Sequence, residues 1–95
     1  MFIIDLTYNA TIEAIEKALP EHIRYLDKHY ESGCFIASGR KVPRSGGIIL
    51  AKGVSREELE QVTREDPFVR DKLATVRITE LAATKYHEDL NDLIL

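Results

Sequence analysis

Four segments of the chain carry the hydrophobic patterns of β-strands. In the first, Phe2–Tyr8, every second residue from Phe2 onward is bulky and apolar, which is typical of a strand with one buried face. Segments 34–38 and 48–51 flank a glycine-rich loop and predict the second and third strands. Apolar and polar positions alternate again over 73–84, which predicts the fourth strand.

Between the first two strands, apolar residues recur at the spacing of an α-helix. Asn9 and Thr11 are residue types that start helices, and apolar positions then recur from Ile12 onward. Because Pro20 lacks a backbone N–H, we expect a short first helix, a kink or break, and then a second helix that begins at Pro20. Gly33 suits the left-handed cap that ends this second helix.

The predicted helix over 20–33 carries two of the three histidines. Placed at about 100° per residue, its apolar side chains form one stripe, and His22 and His29 lie together along the edge. The stripe consists of Leu19, Ile23, Leu26 and Tyr30. Imidazoles at the border between core and solvent are suited to proton transfer, and equally to a structural role at the surface.

Two more helix starts separate the third strand from the fourth. Ser55–Glu58 has the spacing of a capping box, which predicts a helix to about residue 64. Asp66 before Pro67 is a natural N-cap and first-turn pair for a further short helix. The last segment, 86–95, predicts a short terminal helix.

The predicted element order is β-α-β-β-α-β plus a tail, in a single domain over 1–95. This order is that of a ferredoxin-like α+β fold, a four-stranded antiparallel sheet with both major helices on one face. The other face is then uncovered, although every strand has apolar residues to spare. We therefore expect a homodimer whose sheets pack face to face as a dimeric α/β barrel.

Charge and composition narrow the classes of function. The 95-residue chain has 13 basic and 16 acidic residues and a net charge of −3. It lacks the basic footprint that nucleic acid or an anionic membrane surface requires. No apolar run approaches the roughly 20 residues that span a bilayer, and the first residues lack the basic start of a signal peptide. We expect a cytoplasmic protein whose single cysteine, Cys34, is a buried structural thiol rather than a nucleophile.

Candidate acid–base chemistry centres on His22. In a split βαβ fold the loop after the second major helix approaches the first, so Asp66 can meet His22. A carboxylate bonded to one ring nitrogen fixes the tautomer and leaves the other nitrogen to transfer a proton. The alternative for Asp66 is a purely structural N-cap ahead of Pro67, and the two roles are compatible.

The glycine-rich loop after the second strand holds the densest basic cluster of the chain. Its hydroxyls, backbone N–H groups and cationic side chains suit an anionic substrate. The candidate binding residues are Ser38, Gly39, Arg40, Arg44 and Ser45. The loop matches no phosphate-binding motif, and a solvated basic hairpin is the alternative. His87 is expected at the surface, and since no zinc-ligand spacing occurs, neither a metal nor another cofactor is predicted.

Several segments taken together resemble the YCII-related (YciI-like) family over almost the full length of the chain. They are FIIDLTY at the start, EHIRYLDKHYESG around His22, FIASG, PRSGGIIL, and EDPF around Asp66. The resemblance implies a ferredoxin-like fold that dimerises through its sheets, and a His–Asp pair in a cleft, carried by His22 and Asp66. It leaves the reaction open. One relative is a dehalogenase of chlorinated aromatic ring products, and related barrels include muconolactone isomerases and small monooxygenases.

Two hypotheses of different classes follow. The first is a small cofactor-independent enzyme, an isomerase, lyase or dehalogenase-like protein acting on an anionic or cyclic metabolite. In it His22 is the general acid/base and Asp66 orients the ring, while Ser38 and Arg44 hold the substrate. The second is a non-catalytic dimeric module that binds a small molecule or a partner protein through the same cleft.

Overall fold

Four antiparallel strands form one sheet in the computed structural model, which describes residues 1–94. They are β1 (Phe2–Tyr8), β2 (Phe35–Arg40), β3 (Gly46–Ala51) and β4 (Ala74–Glu80). Their spatial order is β2-β3-β1-β4, with every neighbouring pair antiparallel. The first strand therefore lies in the middle of the sheet, as the predicted ferredoxin-like order requires.

Three helices lie between these strands in the predicted order, and a short helix follows the last strand. They are α1 (Ile12–Glu31), α2 (Arg56–Arg64), α3 (Pro67–Arg70) and, after a 3-10 turn at Glu88–Leu90, α4 (Asn91–Ile94). The predicted tail helix is thus present over part of 86–95, and Leu95 lies outside the described residues. Within residues 1–94, no helix is both long enough and apolar enough to cross a membrane.

One face of the sheet meets the helices and forms the core. Phe2, Ile4 and Leu6 of β1 are each no more than 4% exposed, since the strand alternation directs them toward the helices. Ile15 of α1 and Leu59 of α2 are completely buried against them. The predicted α+β architecture is confirmed, with a single core between sheet and helices.

The predicted break at Pro20 is wrong, because α1 runs without interruption for 20 residues. Proline in a helix removes one backbone hydrogen bond and costs on the order of 3 kcal/mol. Pro20 is exposed, so water can solvate the carbonyl group that loses its partner. The buried side chains on both sides of Pro20 hold the helix together, and Gly33 (φ 85°) ends it in the predicted left-handed cap.

The predicted apolar stripe of α1 is also wrong in position. The buried side chains of this helix are Ile15, His22, Tyr25 and His29. Ile23 and Tyr30, assigned to the stripe, are 46% and 38% exposed. The buried face is therefore rotated so that both histidines lie within it, 8% and 6% exposed, rather than at its edge. Burial of a polar ring is tolerated when hydrogen-bond partners are supplied, and apolar periodicity cannot show such partners.

The uncovered face of the sheet is less apolar than predicted. Strand register places Leu50 of β3, Ile3 of β1 and Thr79 of β4 in one row across this face. The next row runs from Ile48 through Asp5 to Arg77. The expectation that every strand has spare apolar residues is therefore wrong for β4, whose residues on this face are Thr75, Arg77 and Thr79. The apolar part is confined to the side formed by β2, β3 and the start of β1.

Candidate functional site

A cleft of about 260 Å³ opens between α1 and the end of the sheet where β2, β3 and β1 meet. Its apolar walls include Leu6, Leu19, Ile23, Leu26, Ile49 and Phe68. Three of these belong to the predicted apolar stripe of α1; all three line the cleft, and Leu19 and Leu26 also pack against the core. The polar and charged lining consists of Tyr8, His22, Ser38, Arg40 and Arg44. This cleft brings together most of the residues that the sequence nominated.

His22 and Asp66 are joined by a hydrogen bond in which Nδ1 of the ring lies 2.9 Å from Oδ1 of the carboxylate. Asp66 is 1% exposed and His22 is 8% exposed, so water hardly competes with this bond. When the carboxylate is ionised it can only accept, and the proton of this bond then belongs to Nδ1. The other ring nitrogen, Nε2, makes no hydrogen bond within residues 1–94 and belongs to a ring that lines the cleft.

The α2–α3 junction positions Asp66. The carboxylate oxygen Oδ1 also accepts the backbone N–H of Phe68 at 2.9 Å, which makes Asp66 the N-cap of α3. Pro67 fills the first helical position, where a missing N–H costs nothing. One carboxylate oxygen of Asp66 therefore serves both the helix cap and the contact with His22.

Phe68 fixes the plane of the imidazole. Its ring stacks on that of His22 with centroids 4.0 Å apart and planes inclined by 10°. An ion pair at the surface, Arg70 Nη1 to Glu21 Oε2 at 2.6 Å, also joins α3 to α1. One bonded nitrogen and one stacked face leave the ring little freedom, so Nε2 has a defined direction.

The cleft contains cationic residues and no carboxylate among its lining residues. Arg44 donates from Nη1 to Glu16 Oε1 of α1 at 3.1 Å, which ties the β2–β3 loop to the helix. Its Nε is buried without a partner within residues 1–94. Arg40, from the end of β2, is exposed and lines the same cleft. Two guanidinium groups on this lining, one of them already paired with Glu16, favour an anionic ligand.

The remaining nominated residues differ in position. Ser38 and Gly39 line the cleft, and Ser38 Oγ lies 2.6 Å from the hydroxyl of Tyr30. Ser45 is exposed and does not line the cleft, although its carbonyl accepts the backbone N–H of Tyr8 at 2.9 Å. Tyr8 itself is a cleft residue that the sequence did not nominate, since as the last apolar position of β1 it resembled a core residue.

A second histidine–carboxylate contact lies beside the first. His29 Nε2 is 3.1 Å from Glu65 Oε1, and the same oxygen accepts Lys28 Nζ at 2.9 Å. Lys28 first, and His29 with it, lower the pKa of Glu65 below its ordinary range. The signal was present in the sequence, because histidines seven residues apart share a helix face and two adjacent carboxylates follow α2.

Two buried groups between these contacts are held neutral by their surroundings. Burial raises the pKa of the Tyr25 hydroxyl, and the nearby Asp66 and Glu65 carboxylates raise it further. Burial likewise raises the pKa of Cys34, so the thiolate form is disfavoured. Within residues 1–94, no three histidine, cysteine or carboxylate side chains cluster as a metal site.

The fold is found in a solved structure of a known enzyme. The structure of 5-chloro-2-hydroxyhydroquinone dehydrochlorinase (TftG) from Burkholderia phenoliruptrix AC1100, in complex with 2,5-dihydroxybenzoquinone, superposes with a TM-score of 0.70. The alignment covers 85% of this chain and 93% of that chain at 13% sequence identity, so the similarity concerns the fold. No curated protein shows significant sequence similarity to the chain.

The amino-acid sequence of the chain matches the model of a protein family. The match extends over residues 1–82, from β1 through β4, and includes every residue that lines the cleft. The model is that of the YCII-related domain. The chain therefore belongs to the YCII-related domain family.

Proposed function

We propose that the protein is a small enzyme that uses acid–base catalysis on an anionic or cyclic metabolite. The observation that carries this proposal is the state of His22: Nδ1 is bound by the buried Asp66, and the unbound Nε2 belongs to a ring that lines a cationic cleft. A neutral imidazole in this tautomer has a lone pair on Nε2, which is the arrangement of a general base.

The proposed reaction begins when Nε2 accepts a proton from an acidic carbon or hydroxyl group of the substrate. From an acidic C–H next to a carbonyl group, the electron pair moves onto the carbonyl oxygen and forms an enolate; from an enol or phenol O–H it stays on that oxygen. Ser38 and Arg44 stabilise the resulting oxyanion by hydrogen bonding and charge. Return of the proton to another carbon gives isomerisation. Loss of a leaving group as an anion, with the proton kept on His22 and later released, gives elimination of HX. Neither route requires a redox cofactor, because no net electron transfer occurs.

The family and the similar fold support this class of chemistry. TftG is named for dehydrochlorination, an elimination, and its structure contains a quinone ring. A cleft of about 260 Å³ with apolar walls is suited to a small ring compound. We therefore propose dehalogenase-like elimination, lyase or isomerase activity, with ring-bearing anions as the first substrates to test.

The second candidate function is a dimeric module that binds a small molecule without converting it. The tight packing of His22 between Asp66 and Phe68 is the observation that favours it, since an immobilised ring also serves as a fixed hydrogen-bonding group. In both candidates we propose a homodimer that covers the apolar side of the open sheet face.

Turnover assays on His22→Ala distinguish the two candidates. Purified protein is incubated with 5-chloro-2-hydroxyhydroquinone, followed by chloride release, and with panels of ring lactones and enol acids, followed by product formation. The enzyme proposal predicts conversion by the natural chain and by His87→Ala, and loss of conversion in His22→Ala. Saturable binding without product supports the module, and unchanged turnover in His22→Ala refutes the assigned role of His22.

A further inference from the structure

We propose that Tyr8 and Arg44 together bind the oxyanion of a small planar ring ligand, with the Tyr8 hydroxyl as a direct hydrogen-bond donor to that oxygen. This inference rests on the proposed function and specifies it further. It assigns a substrate-binding role to Tyr8, at the end of the first strand.

Aromatic contacts fix the place of Tyr8 in the cleft. Its ring meets Phe68 edge-on, with centroids 6.0 Å apart and an interplanar angle of 86°. The same Phe68 ring stacks on His22, so Tyr8 and His22 share one aromatic neighbour and line one cleft. A planar ligand in this cleft would therefore contact the base and the phenol together.

The backbone brings Arg44 to Tyr8. The Tyr8 N–H donates to the carbonyl of Ser45 at 2.9 Å, which holds the residue after Arg44 against the end of β1. Glu16 binds Nη1 of the guanidinium at 3.1 Å. Glu16 and, after it, the Tyr8 hydroxyl raise the pKa of Arg44, so this cleft residue stays cationic. The guanidinium is thus anchored by Glu16 on one side, and Tyr8 lines the same cleft.

The hydrogen-bond donors of Tyr8 and Arg44 determine the kind of ligand atom that these side chains bind. Arginine only donates, so a phenol oxygen beside it accepts and turns its own O–H toward another acceptor. Arg44 Nε is a further donor that is buried without a partner within residues 1–94, and a buried unpaired donor is costly. A ligand oxygen beside Tyr8 and Arg44 would offer an acceptor to both, and a negative charge on it would be favoured.

The shape of the cleft restricts the ligand that carries this oxygen. A volume of about 260 Å³ lies below the range of roughly 300–1,000 Å³ that is usual for drug-sized ligands. The apolar walls favour a ring, and the lining residues include no carboxylate, although Glu16 already occupies Nη1 of Arg44. The geometry therefore points to a phenolate or ring enolate, whose oxygen binds Tyr8 and Arg44 while His22 exchanges a proton with the ring.

The test compares two probes that differ at this oxygen, 4-nitrophenol as its anion and nitrobenzene. Both are titrated by NMR into the natural chain, Tyr8→Phe and Arg44→Gln. Matched controls are Tyr86→Phe in the C-terminal segment and Arg24→Gln on the exposed side of α1. The natural chain and both controls are expected to prefer the phenolate by at least about tenfold, since a hydrogen bond to a charged group contributes that much. Tyr8→Phe and Arg44→Gln are each expected to reduce the preference roughly tenfold.

A spectroscopic readout separates direct contact from a structural effect. The visible band of bound 4-nitrophenolate should persist to lower pH than that of the free probe, and Tyr8→Phe should move the transition back toward the free value. The inference is overturned if the natural chain shows no preference for the phenolate, or if Tyr8→Phe keeps the full preference in a folded protein. These outcomes are independent of turnover. Loss of the preference in Tyr8→Phe together with unchanged turnover in His22→Ala would refute the acid–base proposal and leave the oxyanion site standing.

Discussion

His29 and Glu65 form a second histidine–carboxylate contact beside that of His22 and Asp66, with Nε2 of His29 lying 3.1 Å from Oε1 of Glu65. The two histidines lie two helical turns apart on α1, and the two carboxylates are adjacent at the α2–α3 junction. His29 is 6% exposed, and the aromatic rings of Tyr25 and Phe35 surround it. Unlike His22, His29 does not line the cleft. Two histidine–carboxylate contacts thus attach the junction to α1, and that of His22 and Asp66 belongs to the candidate site.

Glu65→Gln is expected to lower stability at neutral pH but not in acid. The pKa of Glu65 lies below its ordinary 4.5, through Lys28 first and then His29. A lowered folded-state pKa stabilises above the unfolded-state pKa, and this contribution is lost as pH falls through the folded-state value. The difference between the natural chain and Glu65→Gln should therefore be present above the ordinary pKa of 4.5 and disappear as the pH falls through the lowered folded-state value.

Urea denaturation at a series of pH values measures this effect. The expected difference is under about 1 kcal/mol, because the Lys28 and Glu65 side chains are 67% and 44% exposed and solvent screens such pairs. Glu31→Gln is the control, since it removes a carboxylate that has no ion pair within residues 1–94. A Glu65→Gln variant that follows the natural chain at every pH contradicts the prediction.

Asp66→Asn is expected to change the tautomer of His22 while leaving α3 capped. Asparagine is as good an N-cap as aspartate, whereas a neutral acceptor holds the Nδ1–H about half as strongly as a carboxylate. Long-range proton–nitrogen NMR spectra of the imidazole should show the Nδ1–H form in the natural chain and a mixture in the variant. The exposed ring of His87 provides the internal reference. Identical His22 spectra in both proteins would show that Asp66 does not set the tautomer.

Gly46→Ala is expected to be strongly destabilising, and Gly39→Ala nearly neutral. A Cβ atom at Gly46 would collide with the backbone carbonyl of Leu6 and come within 3.1 Å of the Thr7 Cα, so β1 and β3 would have to separate. At Gly39 a Cβ atom meets nothing within 4 Å. Overpacking against backbone costs about 1–3 kcal/mol or more, which chemical denaturation resolves. Equal midpoints for the two variants contradict this account of the β1–β3 contact.

The sequence predicted the fold better than the site because local signals determine strands and caps. Alternation located Phe2–Tyr8 with its observed bounds, and the Ser55–Glu58 capping box forms both of its predicted hydrogen bonds. Burial on α1 was mispredicted for a non-local reason. Leu19, Ile23 and Leu26 line a cleft, and Leu19 and Leu26 also pack against the core, a combination that apolar periodicity does not show. Likewise, the partners that allow two histidines to be buried lie more than 30 residues further along the chain.

Leu50→Lys is expected to weaken dimer formation, whereas Thr79→Lys is not. Both residues lie in the same row of the open sheet face, on either side of Ile3, but Leu50 belongs to the apolar side and Thr79 to the polar strand β4. The ion pair of Lys41 with Asp5 at 2.6 Å already covers part of the next row, which leaves the apolar side as the surface that gains most from burial. A lysine in place of Leu50 would place a charge in that surface, and a buried charge without a partner is costly.

Sedimentation velocity over a concentration series measures the effect, with circular dichroism to show that both variants fold. A natural chain that stays monomeric at micromolar concentration contradicts the proposed dimer. A natural dimer that Leu50→Lys leaves intact would show that the two subunits meet through another surface.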